Sequence, residues 1–261
     1  MNKGSESPAM EVHPNEEADI SNLLDIPLKE ARSQLSSLDP AGRLAWAKEQ
    51  FKEKFVLTTS FGIQSAVLLH MVHRLKETNQ IPIIWIDTGY LPPETYCYAE
   101  ELINHLNIEI QVIQSPISPA RMEALYGKLW ETNSLKDIEK YHLIRKVKPL
   151  EQALNDLQVQ CWASGVRGNQ TDHRSSMTLL DEIRGRLSLR PLLEWKQKDI
   201  FYYMKENQLP QHPLFEKGYS SVGDWHSSGP EGSDVKGRNT RFGGLKQECG
   251  IHVQGVMGDG I

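Results

Sequence analysis

The chain has 261 residues, 39% of them hydrophobic and 24% charged, with 19 Gly and 14 Pro, which suits one globular domain with an appendage and excludes fibrous, disordered and membrane-embedded classes. No apolar run approaches the ~18 residues of a membrane span, and Lys3 is followed by Glu6, Glu11, Glu16, Glu17 and Asp19 with neither a signal-like apolar stretch nor an Arg-rich transit pattern, so a cytoplasmic location is expected. The net charge is −5, of which residues 1–20 hold −4, and a nearly neutral body with an isoelectric point near 6.0 lacks the broad basic face that nucleic acid requires.

Residues 1–20, polar and acidic, read as a disordered arm. A helical stretch is expected from about residue 21, and Phe55–Leu57 then run as a short strand into Thr58, Thr59, Ser60, Phe61 and Gly62. Val67, Leu68, Met71, Val72 and Leu75 follow at helical spacing. The alternation repeats: strand 83–86, a helix through Ala99, Leu102, Ile103 and Leu106, strand 108–113, and a helix through Val147, Leu150, Leu154 and Leu157. Strands 159–164 and 187–192 come next, the second followed by a helix with Ile200, Phe201 and Met204. Such alternation predicts an α/β fold, a mostly parallel sheet with helices on both faces over residues 21–215, and ligands at the carboxyl ends of the strands. Residues 216–261 read as a flexible, loop-rich tail. The segment 117–145 is long for a plain connection.

Three strand ends carry candidate ligand residues. Thr59, Ser60, Phe61, Gly62, Ile63, Gln64 and Ser65 stand where the first strand meets the first helix, a place where free backbone N–H groups and hydroxyls can hold an anion. Taken alone, that run is as well explained by helix capping. Asp87, Thr88 and Gly89 end the second strand and also suit a plain Asx turn. Gly165, Val166, Arg167, Gly168, Asn169 and Gln170 end another strand, with Arg174 beyond them, and a guanidinium fork suits phosphate as well as it suits a surface carboxylate. Three such ends on one edge favour an anion site.

The cysteines, Cys97, Cys161 and Cys249, include no Cys-x-x-Cys pair, which leaves no disulfide framework and no all-cysteine metal site. Cys97, on an amphipathic helix, and Cys161, in an apolar strand, read as inert buried residues. Cys249 differs, because residues 235–247 hold Lys236, Arg238, Arg241 and Lys246 with no acid, and Gly250 and His252 follow it. Electropositive, accessible surroundings of this kind favour a nucleophilic thiolate.

With these motifs together, residues 38–252 closely resemble the thioredoxin-dependent phosphoadenylyl-sulfate reductases, a cluster-free branch of the sulfonucleotide reductases. The resemblance rests on a modified PP-loop at residues 60–65, Asp87–Gly89, Arg145–Val147, Gly165–Arg167 with Gln170, Ser221–Asp224, and the terminal Glu248, Cys249, Gly250, Ile251 and His252. It implies the Rossmann-like adenine nucleotide α-hydrolase fold. It also implies that Ser60, Phe61, Gly62, Gln64, Ser65, Asp87, Thr88, Gly89, Gly165, Arg167 and Gln170 bind a sulfonucleotide. Lys146, Arg238, Arg241 and His252 would assist Cys249, the implied nucleophile.

A sister family carries an iron–sulfur cluster on a Cys pair and a Cys-x-x-Cys pair, where this chain has Tyr141, His142, Asp224 and Ser227. The resemblance therefore implies no iron–sulfur cluster, no other bound cofactor, and a 3′-phosphorylated substrate. Without a resolving cysteine, an external dithiol, thioredoxin or glutaredoxin, must finish the cycle. No nucleic acid or membrane partner is expected, and a homodimer is allowed without being fixed. Three other readings stay open at this point: a cluster-free adenylyl-sulfate reductase, another PP-loop nucleotide enzyme, and a non-catalytic nucleotide sensor.

Overall fold

A computed structural model describes residues 23–75 and 81–253; the acidic arm read at 1–20 and the end of the tail lie outside the described residues. In chain order the elements are α1 (Leu28–Ser36), α2 (Pro40–Phe51), β1 (Phe55–Thr59), α3 (Ser65–Arg74), β2 (Ile83–Asp87), α4 (Pro93–Leu106) and β3 (Gln111–Gln114). Then come α5 (Pro119–Tyr126), α6 (Leu135–His142), α7 (Lys148–Asp156), β4 (Cys161–Ala163), α8 (Asp172–Ser175), β5 (Leu180–Ile183), β6 (Arg186–Leu189) and α9 (Gln197–Glu206). The six strands form one sheet in the order β3-β2-β1-β4-β6-β5. All pairings are parallel except β5 with β6.

Period-2 alternation sorts the strand residues onto two faces. Phe55, Leu57, Ile83, Trp85, Cys161 and Ala163 join one cluster with residues of α1, α2, α3, α4 and α9. Val56, Ile84 and Trp162, one residue out of step, meet Leu150, Ala153 and Leu154 of α7 on the other face. Each fully buried aliphatic or aromatic side chain of this kind contributes about 1.5–3 kcal/mol. The sheet is thus clamped between helices, and its central strands are buried on both sides.

Several boundaries differ from the sequence expectation. The third strand starts at Gln111, because Ile108 and Ile110 pack against the first cluster from the connection that precedes it. The last strand stops at Leu189, before Arg190 and Pro191, and proline has no N–H for a ladder. β5 was not expected: it is an edge strand of sequence Leu-Asp-Glu-Ile, and acids on an edge read as loop. The expected loop 117–145 holds α5 and α6, whose first turns are capped by Ser118 and Ser134. A wide π-type turn, Leu143–Val147, joins α6 to α7. Residues 207–253 carry no strand and only short helical turns, yet they lie across the strand ends, held by contacts described below. Among the described residues no helix is long and apolar enough to cross a membrane.

Candidate active site

The strand order reverses beside β1, between β2 and β4, and a crevice outside the carboxyl ends of neighbouring strands follows from such a reversal. A cleft of about 230 Å³ opens there. One side of it comes from the turn after β1. Phe61 takes a left-handed backbone (φ 46°), which for a non-glycine residue costs on the order of 1–3 kcal/mol. Its ring is fully buried and packs edge-to-face on Trp85 at 4.8 Å, a burial that offsets the strain. The backbone reverses sharply at this point, which leaves Ser60, Gly62, Gln64 and Ser65 lining the cleft while Phe61 does not. The Phe61 side chain therefore packs in the core and does not line the cleft, where the resemblance implies a ligand contact. No side chain caps the first turn of α3, so its N-terminus faces the cleft unblocked.

The β2 end departs further from expectation. Asp87 accepts hydrogen bonds from Gly89 N–H (2.8 Å), Tyr96 Oη (2.7 Å) and Gln114 Nε2 (2.6 Å), so its carboxylate is spent on structure. Gly89 has φ 72°, and a Cβ there would stand 2.7 Å from Pro119 Cγ and 3.1 Å from the Arg145 guanidinium. Both residues build the turn, and only Thr88 of the three reaches the cleft.

After β4, Gly165, Arg167 and Gln170 line the cleft. Arg167 Nη2 donates to Gln64 Oε1 across the cleft floor. Gln170 Oε1 accepts from Arg167 N–H (3.1 Å) and from Arg174 (2.5 Å). Burial pushes the Arg167 guanidinium down to about 10, and Arg174 adds to the shift. Arg167 Nη1 and Ser164 Oγ are buried and find no protein partner, which leaves two donors of the cleft free for a ligand.

Lys146 projects from the π-type turn, a distortion that often marks functional positions. Its Nζ lies 2.6 Å from Asp224 Oδ2, and Asp224 Oδ1 accepts from Thr88 Oγ1 at 2.5 Å. Burial alone would raise the Asp224 carboxyl, but Lys146, the Thr88 hydroxyl and His226 outweigh it and hold it well below the carboxylate range. The sequence motifs alone assign Asp224 no individual role. Neighbouring Gly223 leaves room for a guanidinium: a Cβ there would overlap the Arg241 side chain. Arg241 Nη1 and Gly223 N–H both donate to Ser228 Oγ (2.7 and 2.9 Å).

The remaining wall is the tail, where Arg238, Arg241, Cys249 and His252 line the cleft. Arg238 donates to the Gln247 carbonyl (3.0 Å from Nε). Burial, then Arg174, lowers the Arg238 guanidinium to about 10, and a negative Cys249 acts in the opposite direction on both Arg238 and Arg241. Glu248, next to Cys249, is gripped by Arg174 through two 2.8 Å bonds. The tail is therefore anchored, where the sequence reading had only flexibility.

Three cationic or thiol expectations change. His252 stacks on Trp162 at 5.1 Å, and burial followed by the charge of Arg174 holds its imidazole well below the usual range, which favours the neutral ring over a cation beside Cys249. Lys246 turns away to Glu139 at 2.7 Å. Cys97 is exposed on α4, not buried, whereas Cys161 is buried and burial raises its thiol. The positions that hold cluster cysteines in the sister family do converge. His226 Nε2 meets Tyr141 Oη at 3.0 Å and its ring stacks on Trp130 at 4.1 Å, while His142 packs edge-on to Phe242. Aromatic packing and one buried carboxylate occupy that region. No group of three metal-ligating side chains is found among the described residues.

Comparison with known proteins places this geometry. A family model described as the phosphoadenosine phosphosulfate reductase domain matches residues 54–230. A protein of Synechococcus sp. named phosphoadenosine 5′-phosphosulfate reductase is 50% identical over 227 residues, covering 87% of this chain and 97% of that one. A Vibrio cholerae protein of the same name is 42% identical over 225 residues, covering 86% and 88%. Among solved structures, phosphoadenylyl-sulfate reductase from Candida auris in complex with phosphate superposes with a TM-score of 0.67 at 26% identity, covering 79% of this chain and 99% of that one. Candida glabrata FMN adenylyltransferase, with a TM-score of 0.54 at 13% identity over 83% of this chain and 72% of that one, shares the fold.

Proposed function

The chain belongs to the phosphoadenosine phosphosulfate reductase family, and from this premise we propose how its cleft turns 3′-phosphoadenylyl sulfate into sulfite for sulfate assimilation. The observation that carries the reading is the convergence of Cys249, from the far end of the chain, with the turn after β1 and with Lys146, Arg167, Arg238 and Arg241 in one strand-end cleft. The unblocked N-terminus of α3, the Ser60 and Ser65 hydroxyls and Arg167 take the anionic groups of the nucleotide. Gln64 serves mainly to orient Arg167, and Gln170 braces Arg167 and Arg174.

In the first half-reaction the Cys249 thiolate attacks the sulfonate sulfur. A sulfur–sulfur bond forms, the sulfur–oxygen bond to the phosphate breaks, and its electron pair leaves on adenosine 3′,5′-bisphosphate. Nucleophile and substrate are both anionic, so Lys146, Arg238 and Arg241 offset the charge gathered between them. Asp224 holds the Lys146 ammonium in place through the 2.6 Å contact. His252, as a neutral ring stacked on Trp162, shapes the cleft wall beside the thiol.

In the second half-reaction a thiolate of reduced thioredoxin, or of another dithiol such as glutaredoxin, attacks Cys249 Sγ and expels sulfite. The second thiol of the donor resolves the mixed disulfide, the donor is oxidised by two electrons, and Cys249 returns as a thiol. A reducing cytoplasm suits a cycle that needs a free thiol at its start. Neither half-reaction uses an iron–sulfur cluster.

The reading is tested by incubating the full chain with 3′-phosphoadenylyl sulfate in the absence of reductant and mapping the sulfonated peptide by mass spectrometry. Sulfonate on Cys249, released as sulfite when reduced thioredoxin is added, is the expected result. Sulfite formation with an unmodified Cys249 would overturn it.

A further inference from the structure

The antiparallel hairpin of β5 and β6 turns on Arg184 and Gly185, which have φ 49° and 72°. Two-residue hairpin turns with positive φ at both positions favour Asn-Gly or Gly-Gly. An arginine at the first position breaks that local rule, and residues that break local rules tend to be spent on something else. Here the side chain is half of a relay. Arg184 Nε donates to Glu151 Oε1 of α7 at 2.6 Å, and the other carboxylate oxygen of Glu151 is held by Arg186 at 2.8 Å.

With its Nε fixed, the Arg184 fork reaches the tail. Nη1 donates to the Val253 carbonyl at 2.8 Å and to the Gly250 carbonyl at 3.4 Å, and Nη2 donates to the Ile251 carbonyl at 2.9 Å. No strand carries this part of the chain, so these carbonyls have no ladder to satisfy them. Cys249 stands between two arginine clamps: Arg174 grips the Glu248 side chain before it, and Arg184 grips the backbone after it. Arg184 does not line the cleft.

We propose that Arg184 is a positioning residue for the Cys249 step: its guanidinium, braced by Glu151, fixes the backbone after Cys249 against the β5–β6 hairpin so that the thiol faces the cleft. Letting go of the three carbonyls frees the cysteine to turn outward to the reductant. The proposal rests on Cys249 being the nucleophile.

The test uses the full-length Arg184→Ala variant with three readouts. The first is alkylation of Cys249 by iodoacetamide with adenosine 3′,5′-bisphosphate bound. The second is sulfonate transfer to Cys249 in a single turnover without reductant. The third is sulfite release from the sulfonated enzyme by reduced thioredoxin. Loss of the clamp is expected to speed alkylation and slow sulfonate transfer, each by about tenfold or more, as for at least one charge-assisted hydrogen bond. Sulfite release by thioredoxin is not slowed, and the affinity for the bisphosphate stays at the parent value. Arg184→Lys keeps the charge but not the fork, so it shifts both rates in the same direction by less, and it decides the matter if the alanine variant does not fold. Parent-like alkylation and transfer overturn the proposal, and so does an equal slowing of both half-reactions with alkylation unchanged. If the parent enzyme is not sulfonated on Cys249, the nucleophile assignment fails, and the alkylation readout still decides whether Arg184 holds the tail.

Discussion

The two sides of the cleft are held by different forces. The side made by the turns after β1, β2 and β4 hangs on a parallel ladder and on strands buried on both faces, with Phe55, Val56, Leu57, Cys161 and Ala163 fully inaccessible. The side made by residues 220–253 has no ladder; it is fastened to the rest by Arg174 to Glu248, Arg184 to three carbonyls and Lys146 to Asp224, and by the stacking of His226 on Trp130 and His252 on Trp162. Opening the stretch around Cys249 breaks a few polar contacts and the His252–Trp162 stack, whereas opening the first side would unfold the sheet. The proposed cycle, in which Cys249 meets substrate and then an external dithiol, needs this inequality, because local opening draws on the least stable part of a structure.

The sharpest break of that comparison is Cys249→Ser, which separates chemistry from binding. Sulfite release should fall by about four orders of magnitude or more, as for loss of a catalytic nucleophile, with nucleotide affinity kept by the strand-end side. Equilibrium binding and sulfite assays on one preparation check this, and sulfite release near the parent rate would refute it.

Asp224→Asn tests whether the two sides are joined by the buried pair. Leaving Lys146 without its carboxylate should lower the unfolding free energy by about 3 kcal/mol, read from denaturant midpoints. The folded carboxyl is depressed, so its contribution is complete above the unfolded value of about 3.9 and is lost only as pH falls through the lower folded value. Between pH 7 and 5 the parent and variant curves should run parallel.

Substrate choice probes the basic lining. Adenylyl sulfate, lacking the 3′-phosphate, should show a kcat/KM lower by about ten- to a hundredfold or more, as for at least one charge-assisted hydrogen bond of roughly 1.5–3 kcal/mol. Equal efficiency with both sulfonucleotides would sink the assignment.

A smaller effect comes from His142, buried with neither ring nitrogen partnered. Burial, then the Lys146 charge, holds it well below its ordinary value. The folded state thus binds fewer protons than the unfolded one, and stability falls as pH drops below about 6.5, by up to about 1.4 kcal/mol per pH unit for this group. His142→Phe should flatten that slope in denaturant titrations. Smallest of all, Lys246→Ala removes only a surface pair with Glu139 and should change stability by less than about 1 kcal/mol, with sulfite release unchanged.

Linear motifs made much of the site legible. Ser60 to Ser65, Gly165 to Gln170 and Cys249 sit at positions where chain order alone puts a strand end or a Gly-flanked tail. The misreadings share one cause. Phe61, Asp87 and Gly89 lie inside the right motifs but turn inward, and a motif does not say which of its members packs and which faces a ligand. Cys97 was misread because a helix has two faces, and the sequence shows the spacing but not which face the neighbours cover. Ser118 before Pro119 was a readable helix start that would have divided the long loop.

What the sequence determined by itself was the alternation of strand and helix, the mostly parallel sheet that alternation demands, and the strand-end motifs and tail cysteine that line the cleft. These follow from local periodicity and short-range chemistry, which chain order carries. Only the tertiary structure decided that Asp224 braces Lys146, that Arg174 and Arg184 clamp the tail on either side of Cys249, and that His252 favours the neutral ring. Each depends on groups from distant segments meeting where water is excluded, and burial together with the partner met there sets both the charge a side chain keeps and the contact it makes.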